Sequence, residues 1–374
     1  MDTMERITVK DIAKELNISV GTVSKALSGK AGVSGQMRVR VCEAAERRGY
    51  SANSLAQGLA RKPTRVGIVM PSVWKEFYGY LKFGIDMELN NLQDQKIQGH
   101  FVFVSGLYAN EEYRKALRYF MAEKMDAVIL CPALAHDYAD LLDELREQGV
   151  KTIILGNPLK EAACYCEIRI ASEMAGSLAA EFASLLCVKG KLAAVFIGNK
   201  DMEDHKRKAE HFQSVAAEKQ FQVSGVYETQ DDVDIAYALT KKVISEQPGL
   251  NVIYVATGNS VAVCKSIIDM GAFDGVKVIG TDIFPDVCPY VESGLIIGLI
   301  YQNPIRMGRM SVSAIYNAVS GEQPEREILV YPQLVLRSNY AVYADYLKKA
   351  EEGMGGELGD GNEMSHENAI NGGI

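Results

Sequence analysis

Catalysis and metal binding need particular side chains at particular spacings, and this chain offers few of them. Its five histidines stand at 100, 136, 205, 211 and 366, and none has metal-ligand spacing. His205 and His211 are six apart, a poor fit to one helical face. No GxSxG elbow is present, no phosphate-cradling GxxxxGKS/T, and no GxGxxG after the first apolar strand. His205-Lys-Arg-Lys208 reads as a solvated basic helix start. The seven cysteines (42, 131, 164, 166, 187, 264, 288) are odd in number and sit mostly in apolar runs, as reduced buried thiols do. The expectation is a protein without catalysis, cofactor or metal. Recognition is what the residues offer instead. On Val20-Gly-Thr-Val-Ser-Lys-Ala-Leu27, Val23, Ala26 and Leu27 make one face, leaving Gly21, Thr22 and Lys25 outward. A short helix with an exposed polar face near its start suits the DNA major groove.

The elements that would position those residues are legible. Val9, Ile12, Ala13 and Leu16 share a helical face, Asn17-Ile18 makes a tight turn, and Ser19 is placed to cap the second helix. A third helix over roughly 34–48 carries Arg38, Arg40, Arg47 and Arg48. Charge agrees with this division. The formal net charge is −8, yet residues 1–62 carry +5 and the remainder −13. A basic head on an acidic body points to polyanion binding at one end. At 374 residues, 48% of them hydrophobic and 24% charged, the chain has room for two or three domains. No signal-peptide run opens it and no apolar stretch approaches a membrane span, so a cytoplasmic location is expected.

From Arg65 onward short apolar runs alternate with amphipathic helical stretches. Strands are expected at 65–71, 100–106, 127–133 and 151–157, then at 192–199, 221–228, 251–258 and 277–282. Helices are expected between them at 77–95, 111–124, 136–148, 203–219, 232–246 and 259–271. Two such series predict two α/β lobes with parallel sheets, and a ligand cleft outside the strands' carboxyl ends. After Lys349 the chain is Gly-rich and acidic, the composition of a disordered tail.

The segments ITVKDIAKELNISVGTVSKALSG and VSGQMRVRVCEAAERRGYSANSLAQGLARK closely resemble the lactose-repressor family of bacterial regulators, LacI/GalR. The resemblance implies an all-α helix-turn-helix head over 1–53 and a hinge helix over 54–62. A two-lobed, type I periplasmic-binding-protein-like domain for effector binding and dimerisation would span 63–347, with the tail at 348–374. It implies a homodimer on a palindromic operator, with a sugar or related small molecule as effector. Val20, Gly21 and Lys25 would read bases, while Thr8, Thr22 and Ser24 would meet phosphates, with Ser19 beside them. Asn53 and Ala56 would line the hinge contact, and Leu59 would wedge into the minor groove. Ala52 stands where many members have proline, and Met37 where many have threonine.

In the body the resemblance is to sugar-binding proteins, and it implies ligand contacts at strand ends. Phe77 and Tyr78 would stack on a sugar face, Asp282 would accept hydroxyls, and Gln302 would reach the ligand from a returning strand. Asn157, Asn199 and Asn259 lie next to the expected cleft, and Lys208 holds a place where many members have arginine. A sugar-binding receptor of a transport system is the alternative the body alone would suggest.

Overall fold

The protein is described by a computed structural model covering residues 9–27, 32–47, 62–73, 75–106, 108–132, 138–159, 163–186, 192–322 and 325–354. It divides into two compact units, Met1–Lys62 and Pro63–Ile374.

The first unit is a small helical bundle of α1 (Val9–Leu16), α2 (Val20–Leu27) and α3 (Gly35–Arg47). Ile12, Ala13, Val23, Ala26, Val41, Ala44 and Ala45 form its core. The turn between α1 and α2 has a mechanism. Asn17 takes a left-handed conformation (φ 52°), the Ile18 amide donates to the Ala13 carbonyl, and the Asn17 amide donates to Lys14. That pair of bonds is a Schellman closure, with Asn in the place glycine often holds. Ser19 then caps α2, its Oγ accepting the Thr22 amide at 3.0 Å. Three residues thus end one helix and start the next. Ser34 does the same for α3 by accepting from Met37, and the Met37 side chain packs on the core.

The second unit has two sheets. In the first lobe are β1 (Thr64–Pro71), β2 (Ile97–Val104), β3 (Ala127–Leu130), β4 (Lys151–Leu155), β5 (Cys166–Ile170) and β11 (Glu327–Val330), in the order β11-β5-β4-β3-β1-β2, all parallel. The second lobe holds β6 (Leu192–Ile197), β7 (Gln222–Glu228), β8 (Leu250–Val255), β9 (Lys277–Thr281), β10 (Ile296–Tyr301) and β12 (Gln333–Val335), ordered β12-β10-β9-β8-β6-β7. Only β12 runs antiparallel there. In both sheets the order reverses beside the first strand, which places a crevice at the strands' carboxyl ends.

Covering these sheets are α4 (Lys75–Asn91), α5 (Asn110–Ala122), α6 (Ala139–Glu147), α7 (Ser172–Ser184), α8 (Glu203–Glu218), α9 (Val233–Glu246), α10 (Ser260–Asp269), α11 (Cys288–Glu292), α12 (Pro304–Val319) and α13 (Arg337–Met354). The chain passes between lobes three times: after β5 into α7, after β10 into α12, and between β11 and β12. Two helix pairs pack at the closest approach that backbones allow. On α4 and α12, a Cβ at Gly84 would lie 2.1 Å from the Ile305 carbonyl oxygen, and one at Gly308 would lie 2.1 Å from that of Leu81. Gly176 of α7 meets the Lys208 carbonyl of α8 in the same way. Helix α4 also serves both lobes, placing Leu81 and Ile85 in a first-lobe core while Tyr80 joins the second-lobe core.

Several elements depart from the sequence-based expectation. Strand β2 begins at Ile97 rather than 100, because left-handed Lys96 (φ 56°) ends a 3-10 turn that stops α4 early. Strands β5, β10, β11 and β12 and helices α7, α11, α12 and α13 fall outside the expected ranges, although β10 is the returning strand that the resemblance implies before Gln302. Helix α13 runs to Met354, past the tail boundary placed at 348, since Tyr340 and Leu347 anchor it in the second-lobe core.

The glycine contacts fix the sign of two substitutions. Gly308→Ala should destabilise the protein by about 1–3 kcal/mol, because its methyl group meets main chain that cannot step aside. Gly79→Ala, in α4 with open space around its Cβ, should stabilise by roughly 0.5–1 kcal/mol through helix propensity. Urea unfolding of the two variants should therefore move the midpoint in opposite directions.

Candidate functional site

The head presents a continuous exposed face. Ser19, Val20, Gly21, Ser24 and Lys25 of α2 and its cap are exposed, while Thr22 is half-buried. The Thr22 hydroxyl lies 2.8 Å from the Ser19 hydroxyl. Val20, at 45% exposure, is a large apolar side chain left outside the core. The remaining expected DNA contacts, Thr8, Asn53, Ala56 and Leu59, lie outside the described residues, as does the hinge at 54–61.

In the two-lobed unit a cavity of about 120 Å³ opens where the crevices of the two sheets face each other. Its wall contains a buried ammonium. Lys208 of α8, 1% exposed, donates to Asp204 Oδ2 at 2.6 Å and to Gln302 Oε1 at 2.8 Å. The Gln302 amide nitrogen in turn donates to Asp282 Oδ2, and its backbone N–H donates to Asp282 Oδ1 at 2.8 Å. On the other side, Ser172 donates to Asp204 Oδ1. Asp282 sits in the left-handed region (φ 60°) directly after β9, a backbone cost that aims its carboxylate at β10. Across the cleft, Asn157 from the first lobe accepts the Asp204 amide of α8 at 3.2 Å.

The electrostatics follow from this enclosure. Burial pushes the Asp282 carboxyl up to about 6, against the opposing pull of its Gln302 hydrogen bonds and the Lys208 ammonium. For Asp204 burial also acts upward, but Lys208, His205 and the hydrogen bonds from Lys208 and Ser172 outweigh it, leaving the carboxyl below its ordinary value. Burial drives His205 down. Its Nδ1 accepts the Asn199 amide at 3.2 Å, so the neutral ring carries its proton on Nε2.

Six of the eight expected ligand positions line the cavity: Phe77, Tyr78, Asn157, Lys208, Asp282 and Gln302. Phe77 and Tyr78 meet edge-to-face with ring centroids 5.2 Å apart. Asn199 and Asn259 do not line it. Asn199 accepts from the Asp201 amide and donates to Gln230, and buried Asn259 donates to Thr229 Oγ1 behind the wall. His205 and Lys208 are buried rather than part of a solvated helix start; only Lys206 keeps that character, while Arg207 pairs with Glu203 and Glu173. Sequence reasoning missed Met202, Asp204, Asp231 and Phe284 in the wall. The i, i+4 spacing of Asp204 and Lys208 was the available signal.

Two outcomes follow from the buried charges. Lys208→Met should cost about 3 kcal/mol or more at pH 7 by stranding the Asp204 carboxylate, and the loss should shrink near pH 4 as that carboxylate protonates. Asp282, raised to about 6 in the fold, binds an extra proton relative to the unfolded chain between about pH 4 and 6. Its contribution to stability therefore falls as pH rises through that window and stays low above it. Unfolding titrations across pH 4–8, with carbon NMR of the Asp282 carboxyl, check both.

Residues 8–53 match the family model described as bacterial regulatory proteins, lacI family, and residues 67–323 match the periplasmic binding protein domain. Among curated relatives, catabolite control protein A of Priestia megaterium is 30% identical over 179 residues, covering 39% of this chain and 54% of that protein. This chain thus spans about half the length of that relative. The HTH-type transcriptional regulator pepR1 of Lactobacillus delbrueckii subsp. lactis is 21% identical, with 88% of this chain and 96% of that protein covered. Among solved structures, an ABC transporter periplasmic solute binding protein from Actinobacillus succinogenes 130z with bound D-allose superposes with a TM-score of 0.70 at 17% identity, covering 75% of this chain and all of that one (100%). A solute binding protein from Bacillus halodurans C-125 with bound myo-inositol gives 0.68 at 18% identity, covering 76% of this chain and 99% of that one. At these identities the likeness shows the fold of the two-lobed unit. The chain belongs to the periplasmic-binding-protein-domain family and carries at its head the helix-turn-helix of the lacI family of bacterial regulatory proteins.

Proposed function

We propose that the chain is a ligand-responsive transcription regulator, acting without catalysis, that binds a palindromic operator as a homodimer in the cytoplasm and senses a sugar-like small molecule in its cleft. The observation that carries the reading is one chain holding both parts: a capped α2 with an exposed face, and a two-lobed cleft lined by Lys208, Asp282 and Gln302. The relatives named as regulators and the neighbours solved with D-allose and myo-inositol support it. Among the described residues no helix is long and apolar enough to cross a membrane. In this reading Val20 offers its methyls to a thymine, Lys25 reads a base edge, and Ser19 and Ser24 approach phosphates. Gly21 lets the start of α2 come close to the duplex. The hinge would carry Asn53, Ala56 and Leu59 into the minor groove.

Gel retardation with DNA upstream of the protein's own gene, with and without a pool of sugars, tests the whole reading. Absence of retardation at low salt would leave the transport-receptor reading in its place. Within that assay, Lys25→Ala should weaken specific binding by about 1–3 kcal/mol, whereas Thr22→Ala should weaken specific and scrambled DNA alike. Gly21→Ala separates fold from function. A Cβ there meets only Ser19 Oγ, at 3.7 Å, so the variant should be about 0.5–1 kcal/mol more stable by thermal unfolding and yet bind operator less tightly.

A further inference from the structure

The wall of the cleft contains one carboxylate that the network around Lys208 leaves unused. Asp231 lies beyond the end of β7, in a turn where Gln230 (φ 53°) and Asp231 (φ 55°) are consecutive left-handed residues, neither of them glycine. L residues rarely adopt that conformation, and two in succession are rarer. The turn is pinned by the Gln230 amide on the Gly198 carbonyl and the Asp232 amide on Thr229. Gly198 makes room for the result, since a Cβ there would lie 2.2 Å from Asp231 Oδ2. The strained turn thus aims a carboxylate into the cavity, where it accepts no hydrogen bond among the described residues.

The charges facing it do not balance it. Helix α8 contributes Asp204, His205 and Lys208, and the first lobe contributes the Tyr78 and Tyr108 hydroxyls. Lys208 has three N–H donors, of which Asp204 and Gln302 already take two. Both Asp282 oxygens are held by Gln302. His205 is held neutral by burial. The cavity wall therefore has three carboxylates against one ammonium. Carboxylates only accept hydrogen bonds, so this wall is satisfied by donors. A phosphate or carboxylate on the ligand would bring further acceptors and further negative charge into the same enclosure. The first turn of α8 is no cradle for an anion: it carries Glu203 and Asp204 and gives its Asp204 amide to Asn157.

We infer that Asp231 is a specificity-determining residue of the cleft: it accepts hydroxyl or amino donors of an unphosphorylated polyol, and with Asp282 it excludes sugar phosphates and sugar acids. This rests on reading the cleft as the small-molecule site, and it deepens that reading by fixing the charge class of the ligand.

The test uses the full chain. Thermal shift at pH 7.5 is run with D-glucose, D-galactose, D-ribose, myo-inositol and D-glucosamine, beside glucose 6-phosphate, ribose 5-phosphate and gluconate. Compounds that raise the melting temperature should come from the first group, and Asp231→Asn should weaken their binding by about tenfold or more by loss of a charged acceptor. A phosphate or acid that stabilises the protein as much as its uncharged parent overturns the inference. A second measurement needs no ligand. Burial raises the Asp231 carboxyl above its ordinary value, so its ionised form opposes folding at high pH. Free Asp231→Asn protein should melt higher than the parent at pH 8, with the gain shrinking at pH 5. An equal or lower melting temperature at pH 8 means that the carboxylate is already compensated, and the inference fails. DNA retardation by the same samples depends on the head, so its loss would count against the regulator reading and leave the Asp231 results interpretable.

Discussion

A lysine ammonium with almost no contact with water has to be answered by its surroundings, and at Lys208 the answer organises the two-lobed unit. Its two acceptors come from different places in the fold. Asp204 lies one helical turn before it on α8, and Gln302 lies just after β10, where the chain leaves the second lobe. Asp204 in turn receives Ser172, the first residue of the helix that follows the first crossing. A single buried charge therefore ties together two of the three connections between lobes. Removing any member leaves the others desolvated and unmatched, which costs far more than the pair contributes when intact.

The close helix packing serves the same end by a different force. The Lys208 carbonyl rests against Gly176 of α7, so the helix carrying the ammonium is held at minimal distance from the helix carrying Ser172. A larger residue at 176 would push α8 outward and stretch the Ser172–Asp204 contact. Packing sets the position here, and hydrogen bonding sets the chemistry.

Much of this is legible in the sequence. The alternating apolar runs and amphipathic stretches located eight of the strands, and the turn chemistry of Asn17 and Ser19 was visible because both residues act locally. Elements whose identity depends on distant partners were not visible. The alanine-rich α7 has little amphipathic contrast because it is buried broadly against α8 and the second sheet. The short strands β11 and β12 exist only because they complete the edges of two sheets begun far earlier in the chain. In the cleft, residues carried by a resemblance to sugar-binding proteins fell on the wall where their strand end faces the crevice, as with Asp282. Asn259 instead turned its amide to Thr229. Asp231 could not be found this way, because its direction is set by two backbone angles that no sequence pattern announces.

Helix α4 has a consequence for motion. Its Leu81 and Ile85 are set in the core of one lobe while Tyr80, adjacent in sequence, is set in the core of the other. A rigid rod embedded in two bodies cannot follow both when they turn. Any rotation of one lobe against the other must therefore be taken up as slip along one of its faces. The face held through Gly84 and Gly308 against α12 touches main chain to main chain, and Glu88 fastens it further by accepting hydrogen bonds from Ser313 and Arg309 of α12. Helix α12 is placed the same way, with Ile305 in the second-lobe core and Met307 in the first. The two helices thus form one tightly joined axle with a bearing in each lobe.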